Sequence, residues 1–361
     1  MNQTICIFFS LWILSVILYC KYKNIIYLFI PYFIFIINEL YYLIYNIDIF
    51  NSKSRTSIFY DLASIPTSIL KISDVNYSEG YYYDENYNIS PREAENNKYE
   101  RILQLLNAKE GDTILDLGCG NGSFGKYAKN KNIKVIATTL SNEQAIDCNN
   151  NGIETYVWDY TIYNPLFAGK FDHIIIIGSS EHIPGGSPYH MDSFINKYNN
   201  ILKLFIMLKL YLKNTDSKIF YSGLHINPKY KSSLGYWILD RTYGGTLQLN
   251  TKDYDIFKTA TDSGYTTIHK EDVTKHYYMA TVMDNKHFGQ PNNPFGLCSF
   301  GLFLLGFIYP FSWYMLFYGI FGYWMWMFDN NIHTYNNKNF SLKSIENRPA
   351  TCWWGVFQIY N

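Results

Sequence analysis

Two kinds of hydrophobic pattern divide this chain. Ile5 to Cys20 is an apolar run, and Ile25 to Ile37 is another that continues with polar breaks to Ile47. Residues 1–50 carry only four charged side chains, Lys21, Lys23, Glu39 and Asp48. Each run is near the lower limit of the roughly 20 apolar residues that cross a bilayer, and together they predict a membrane anchor over 1–50, built as a hairpin. A cleaved signal peptide fits the first run less well, because its positive residues follow the apolar core instead of preceding it. Phe295 to Phe328 is a second such region, 34 residues without a charge. One straight helix of that length would reach roughly 50 Å, well past the ~30 Å hydrocarbon layer. Pro310 near its middle predicts two shorter helices, a hairpin or re-entrant insertion over 295–328.

Between these regions the pattern changes. Residues 51–71 become mixed and polar, a linker, and 72–290 read as an α/β body. Apolar, β-branched runs at Ile114–Leu117, Ile133–Thr139, Thr155–Trp158, Phe171–Ser179 and Lys218–Leu224 predict strands, with an edge strand at Thr266–Asp272. Helical patterns cover Met191–Lys213 and Thr251–Ser263. Such alternation implies a mostly parallel sheet covered on both faces, with ligands at the carboxyl ends of the strands. The tail over 329–361 carries Trp353–Tyr360.

The chain is organised around Ile114 to Tyr160. There a strand runs into Asp116-Leu117-Gly118-Cys119-Gly120-Asn121-Gly122 and on into a helix and a second strand. Glycines at alternate positions let the backbone pass close to a ligand at a helix N-terminus. A dinucleotide fingerprint would need a third glycine where Ser123 stands, and an acidic residue where Thr138-Thr139-Leu140-Ser141 stands. Asp116 instead suits a cationic ligand such as the sulfonium and amino group of S-adenosylmethionine.

The 361 residues carry no formal net charge, which gives no electrostatic reason to expect nucleic acid as a partner. Six cysteines show no C-x-x-C pair and no zinc spacing, so no metal is expected. Asn76-Tyr77-Ser78 and Asn121-Gly122-Ser123 are glycosylation sequons within the expected site. Glycans there would block it, which argues for a membrane protein whose catalytic domain faces the cytosol.

From Asn76 to about Thr281 these residues resemble one family, the cyclopropane-fatty-acid synthase and mycolic-acid methyltransferase group. The likeness is carried by Asn76-Tyr77-Ser78-Glu79-Gly80-Tyr81, Glu93-Ala94-Glu95 with Lys98, the glycine loop, and Thr139-Leu140-Ser141-x-x-Gln144. Asp159-Tyr160, Glu181-His182, Leu224-His225, Gly244-Gly245 and Tyr278-x-x-Thr281 follow in order, and Gly355-Val356-Phe357-Gln358 matches the family's closing segment. The glycine loop marks any methyltransferase; the Thr-Leu-Ser-x-x-Gln, Asp-Tyr and Glu-His motifs together are more specific. The resemblance implies a Rossmann-like class I methyltransferase fold with a mostly parallel seven-stranded sheet, to which Trp353–Tyr360 of the tail is expected to return. It implies S-adenosylmethionine bound by Tyr77, Ser78, Gly118, Gly120, Thr139, Leu140, Gln144 and Trp158 with Asp159, around the loop of Asp116 and Gly122.

The same resemblance implies an unsaturated phospholipid or sphingolipid acceptor. Its double bond takes the methyl group, a carbocation follows, and bicarbonate held by Glu181, His225 and Tyr278 removes a proton. Where bacterial members carry Cys, this chain has Glu79, which could repel bicarbonate or replace it as the base. Ser78-Glu79-Gly80-x-Tyr82-Tyr83 is similar to fungal sphingolipid C9-methyltransferases, which add a methyl branch and make no ring. Two other readings stand beside this one: an N-methyltransferase of an amine or lipid head group, and a membrane scaffold that has lost the chemistry.

Overall fold

The computed structural model describes residues 3–45, 47–48, 56–57, 60–61, 78–86, 88–183, 191–226, 237–238, 240–241, 255–277, 301–317 and 350–360. Two apolar helices, α1 (Gln3–Tyr22) and α2 (Ile30–Tyr45), pack as a hairpin joined by a 3-10 turn at Ile25–Phe29. Ile25–Tyr45 is long and apolar enough to cross a membrane, and Cys6–Tyr22 is a shorter apolar helix.

The body begins with α3 (Pro91–Leu106), started by a Ser90 cap on the Glu93 N–H and by Pro91 in its first turn. Then come β1 (Thr113–Leu117), α4 (Ser123–Lys129), β2 (Lys134–Thr139), α5 (Asn142–Asn150), β3 (Glu154–Val157) and β4 (His173–Ile177). They are followed by α6 (Met191–Leu208), β5 (Lys218–Ile226), α7 (Ile256–Asp262), β6 (Tyr265–Asp272), α8 (Phe311–Phe317) and β7 (Ala350–Ile359). The seven strands form one sheet in the order β3-β2-β1-β4-β5-β7-β6. The first five are parallel, and β7 lies antiparallel between β5 and β6. The expected mostly parallel α/β sheet is the one observed, with β6 at its edge.

Alternation along the strands explains the two cores. Leu115, Leu117, Ile174, Ile176, Ile219 and Phe357 face one side, against Ile201, Leu204 and Phe205 of α6 and Phe257 of α7. Ile114, Val135, Ile175, Phe220 and Trp354 face the other, against Ile102, Leu103 and Leu106 of α3 and Phe124 of α4. Helix α6 ends before the expected Lys213, because Leu212 is drawn into a bridge with Phe171 and Lys213 pairs with Asp172. Helix α7 starts at an Asp255 cap, whose side chain accepts from the Lys258 N–H at 2.6 Å. The strand order reverses between β1 and β4, which opens a crevice at their carboxyl ends.

Candidate active site

That crevice holds a cavity enclosing about 1050 Å³, part of it open to solvent. Its walls are the loops after β1, β2 and β4. The loop after β1 is pinned by the Gly118 and Cys119 N–H groups, which both donate to the Thr138 carbonyl. Gly118 has φ +86°, and a Cβ there would lie 2.4 Å from that of Ser179, so no larger residue fits. Gly122 is also left-handed, at φ +74°, but its missing Cβ makes room for Cys148 and Ile153. Gly122 is a packing glycine and does not line the cavity.

Of the residues expected to hold the cofactor, Ser78, Asp116, Gly118, Gly120, Thr139, Leu140, Gln144 and Asp159 line one space. Trp158 stands outside the lining, with its indole N–H given to the Ile162 carbonyl at 3.1 Å. Tyr77 lies outside the described residues.

The polar groups of this cavity are unequally satisfied. Thr139 Oγ1 donates to Gln144 Oε1 at 2.8 Å, while Gln144 Nε2 is buried with no partner among the described residues. Asp116 is buried, and desolvation pushes its carboxyl up to about 7, with the Lys98 ammonium opposing. Lys98 is fully buried and donates to Ser78 Oγ at 2.7 Å. Burial drives its pKa down, and the carboxylates of Glu79, Glu95 and Asp116 push back. An unused amide donor and a carboxylate short of positive charge suit a ligand with a hydrogen-bond acceptor and a cationic centre. S-adenosylmethionine has both.

Behind this wall, toward β5 and β7, lies a second polar group. Glu79 is buried, and one oxygen accepts from Ser222 Oγ and from the Trp354 indole N–H, each at 2.6 Å. Glu181 accepts the Leu224 N–H at 2.7 Å through Oε1, while Oε2 has no partner among the described residues. Burial raises Glu181 to about 7. Lys197, itself lowered to about 7 by burial, donates to the Glu181 carbonyl at 2.8 Å. His225 Nε2 meets the Tyr221 hydroxyl at 2.8 Å, and its Nδ1 has no partner among the described residues. Burial lowers both His182 and His225 to about 3, so each is neutral at physiological pH. Glu79, Glu181 and His225 do not line the cavity; their neighbours Ser78 and His182 do. Tyr278 lies outside the described residues.

Several residues were given no part in the site by the reading of the sequence. Lys98 and Glu95 occupy the buried stripe of α3 with Ala94, Tyr99 and Ile102, so two charges in apolar phase were the available signal. Ser222 and Trp354 are register partners on β5 and β7, far apart in sequence, and carry no local pattern. Tyr60 hydrogen-bonds His182 at 2.7 Å, and Asp61 accepts from Ser141 Oγ at 2.5 Å. These contacts bring the expected linker to the cavity rim.

The family model for mycolic acid cyclopropane synthetase matches residues 51–290. A probable fatty acid methyltransferase of Mycobacterium tuberculosis is 34 % identical over 103 residues, 27 % of this chain and 24 % of that protein. The cyclopropane-fatty-acyl-phospholipid synthase of Escherichia coli is 28 % identical over 180 residues, 46 % of this chain and 44 % of that protein. The matches thus span less than half the length of these curated relatives. Among solved structures, a cyclopropane synthase of Mycobacterium tuberculosis superposes with a TM-score of 0.57 at 14 % identity, covering 85 % of this chain and 98 % of that one. A coclaurine N-methyltransferase gives 0.57 at 16 % identity, over 82 % and 80 %. These two likenesses are of fold. With two thirds of its length matched by the family model, the chain belongs to the mycolic acid cyclopropane synthetase family.

Proposed function

We propose that the chain is a membrane-bound C-methyltransferase that uses S-adenosylmethionine on the double bond of an unsaturated lipid chain. The observation that carries this reading is the pairing of a cofactor-shaped cavity with a buried set of acid, base and neutral imidazole directly behind it. When bound, S-adenosylmethionine supplies an electrophilic methyl group. Asp116 would face its positive charge, Gln144 Nε2 would donate to one of its hydrogen-bond acceptor atoms, and Ser78, held by Lys98, would fix the wall beside it. With the donor already activated, alignment of two reactants in a dry site is most of the protein's task. The carbocation formed on the acceptor needs electron-rich groups nearby, and the carboxyl oxygens of Glu79 and Glu181 are placed to supply them. Glu181, whose Oε2 has no partner among the described residues, and neutral His225 can take the proton whose loss accompanies ring closure or completes a branch. Bicarbonate is the alternative proton acceptor, with Glu181, His225 and Tyr278 to hold it.

A second reading rests on relatives of another kind: an (S)-tetrahydroprotoberberine N-methyltransferase of Eschscholzia californica is 31 % identical over 134 residues, 33 % of this chain and 36 % of that protein. In that reading Glu79 and Glu181 hold a cationic amine. One experiment separates the two. The full chain, expressed in cells fed methyl-labelled methionine, should place label on acyl or sphingoid chains, and fragmentation then distinguishes ring from branch. Label confined to head groups or amines would leave the N-methyltransferase. Cofactor bound with no transfer to any lipid or amine would count against both.

A further inference from the structure

Residues 301–317 pack on the α1–α2 hairpin. Phe8 of α1 is buried with Tyr309, Phe311 and Tyr314, and Phe35 of α2 lies against them. Helical backbone runs over 301–306, the chain turns at 307–310, and α8 returns.

The backbone of this turn is shielded while the side chains at its tip, Phe307 and Ile308, face outward and Tyr309 packs inward. Ile308 N and Tyr309 N donate to the Leu305 carbonyl at 2.9 and 2.7 Å, and Ser312 N and Trp313 N donate to the carbonyls of Tyr309 and Pro310. At the tip, side chains of other helices take over. Trp12 Nε1 donates to the Ile308 carbonyl at 2.5 Å, and the Tyr32 hydroxyl donates to the Phe307 carbonyl. Yet Phe307 and Ile308 are 48 % and 50 % exposed, and Phe303 and Leu304 beside them are exposed too. Ile13 and Ile17 of α1 and Phe33 and Ile37 of α2 are exposed as well. A turn in water does the reverse, because solvent satisfies its carbonyls and polar side chains face outward. Non-helical backbone inside a bilayer must find its partners in protein.

The charges follow the same rule. Glu39, inside α2, and Asp48 beyond it are both paired with the buried Arg241, at 2.6 and 3.2 Å. At the far end of the hairpin, Lys21 and Lys23 lie against the rings of Tyr22 and Tyr19, a head-group signature. Trp12 lies nine residues into α1 from Gln3. That is about 14 Å at roughly 1.5 Å per residue, or half of a ~30 Å hydrocarbon core.

We propose that residues 301–317 are a re-entrant hairpin seated in one leaflet, with the acyl chains of that leaflet as its partner, beside an α1–α2 hairpin that crosses the bilayer. Tyr60 packs against this bundle and meets His182 at the cavity rim. The lipid acceptor is therefore drawn from the same leaflet, a consequence that rests on the function proposed above.

The test uses the full chain in dioleoylphosphatidylcholine vesicles, with photoreactive benzoylphenylalanine in place of Ile308, Phe303, Ile13 or, as a control on α5, Ile146. On irradiation, the first three positions should give phosphatidylcholine adducts and Ile146 none. Chain–chain adducts at Ile308 without lipid would mean that a second copy covers the face, and no adduct at Ile308 would place the turn in water; either overturns the proposal. Trp12→Phe with Tyr32→Phe removes both tip donors and keeps the aromatic bulk. A turn seated in lipid then loses its Ile308 adduct several-fold while the Ile13 adduct persists, and an unchanged Ile308 yield contradicts the seat. None of these readouts measures methyl transfer, so this proposal and the proposed activity fail separately.

Discussion

The two polar groups at the carboxyl ends of the strands are built on opposite terms. In the cavity, Gln144 Nε2 has no partner among the described residues, and Asp116 is buried with desolvation outweighing the Lys98 charge. Behind it, Glu79, Glu181 and His225 are anchored by Ser222, Trp354, the Leu224 N–H and Tyr221. Leaving a buried group unsatisfied costs about 1–3 kcal/mol, and a ligand can return that free energy on binding. Anchoring one oxygen or one nitrogen leaves the other atom aimed and fixed, which is what proton removal requires. The difference predicts that substitutions in the two groups have separable effects, on cofactor affinity and on turnover.

The largest effect is expected from Glu181→Gln. Gln keeps the shape and an oxygen for the Leu224 N–H but cannot take a proton. Turnover should fall by about 10²–10⁴-fold, with cofactor affinity, measured by calorimetry, within a few-fold of the parent. Turnover that survives would remove Glu181 from the chemistry and revive the scaffold reading. Lys98→Met strikes both groups at once, since Lys98 is the buried cation facing Glu79, Glu95 and Asp116. Removing one partner from a buried charge set costs about 3–5 kcal/mol, to be read from the urea midpoint of the full chain in detergent. A variant as stable as the parent would show that the carboxylates take up protons without penalty. Asp116→Asn should affect the cavity alone. The loss of a charge-assisted contact of about 1.5–3 kcal/mol weakens cofactor binding by roughly 10- to 150-fold, with the urea midpoint little changed.

The two groups also differ in how far the sequence revealed them. The cavity is written in short segments: the glycine loop and Thr139 to Gln144 each lie within about ten residues, so local turn geometry brings their members together. The anchored group is assembled by topology. Trp354 reaches Glu79 because β7, at the far end of the chain, is inserted between β5 and β6, and no periodicity announces that pairing. The sheet itself was legible because a fully buried run such as Ile174–Ile176 has an uninterrupted β-branched pattern. Lys98 was visible yet not recognised, since a charge on the apolar phase of a helix reads as an exception until its carboxylate neighbours are in place.

The smallest predicted effect, on pH, sharpens the contrast most. Asp116 holds its proton up to about 7, so below that value a cationic cofactor has to displace a proton to gain the carboxylate. Affinity should rise about tenfold per pH unit, ~1.4 kcal/mol, between pH 5 and 7, and level off above. Stability without ligand should behave differently. Asp116 and Glu181, raised to about 7, are protonated in the fold at pH values where the unfolded chain has lost those protons, so they make stability fall as pH rises from the ordinary carboxylate range toward 7. His182 and His225, lowered to about 3, act in the opposite sense, because the unfolded chain holds their protons up to the ordinary histidine range. Over pH 5 to 6 the two pairs nearly cancel, which leaves a flat contribution to stability beneath a steep affinity. Calorimetric titration with S-adenosylmethionine at several pH values, beside melting curves without it, measures both. Asp116→Asn should flatten the affinity profile, and a slope that persists in that variant would assign the proton to another group at the cavity.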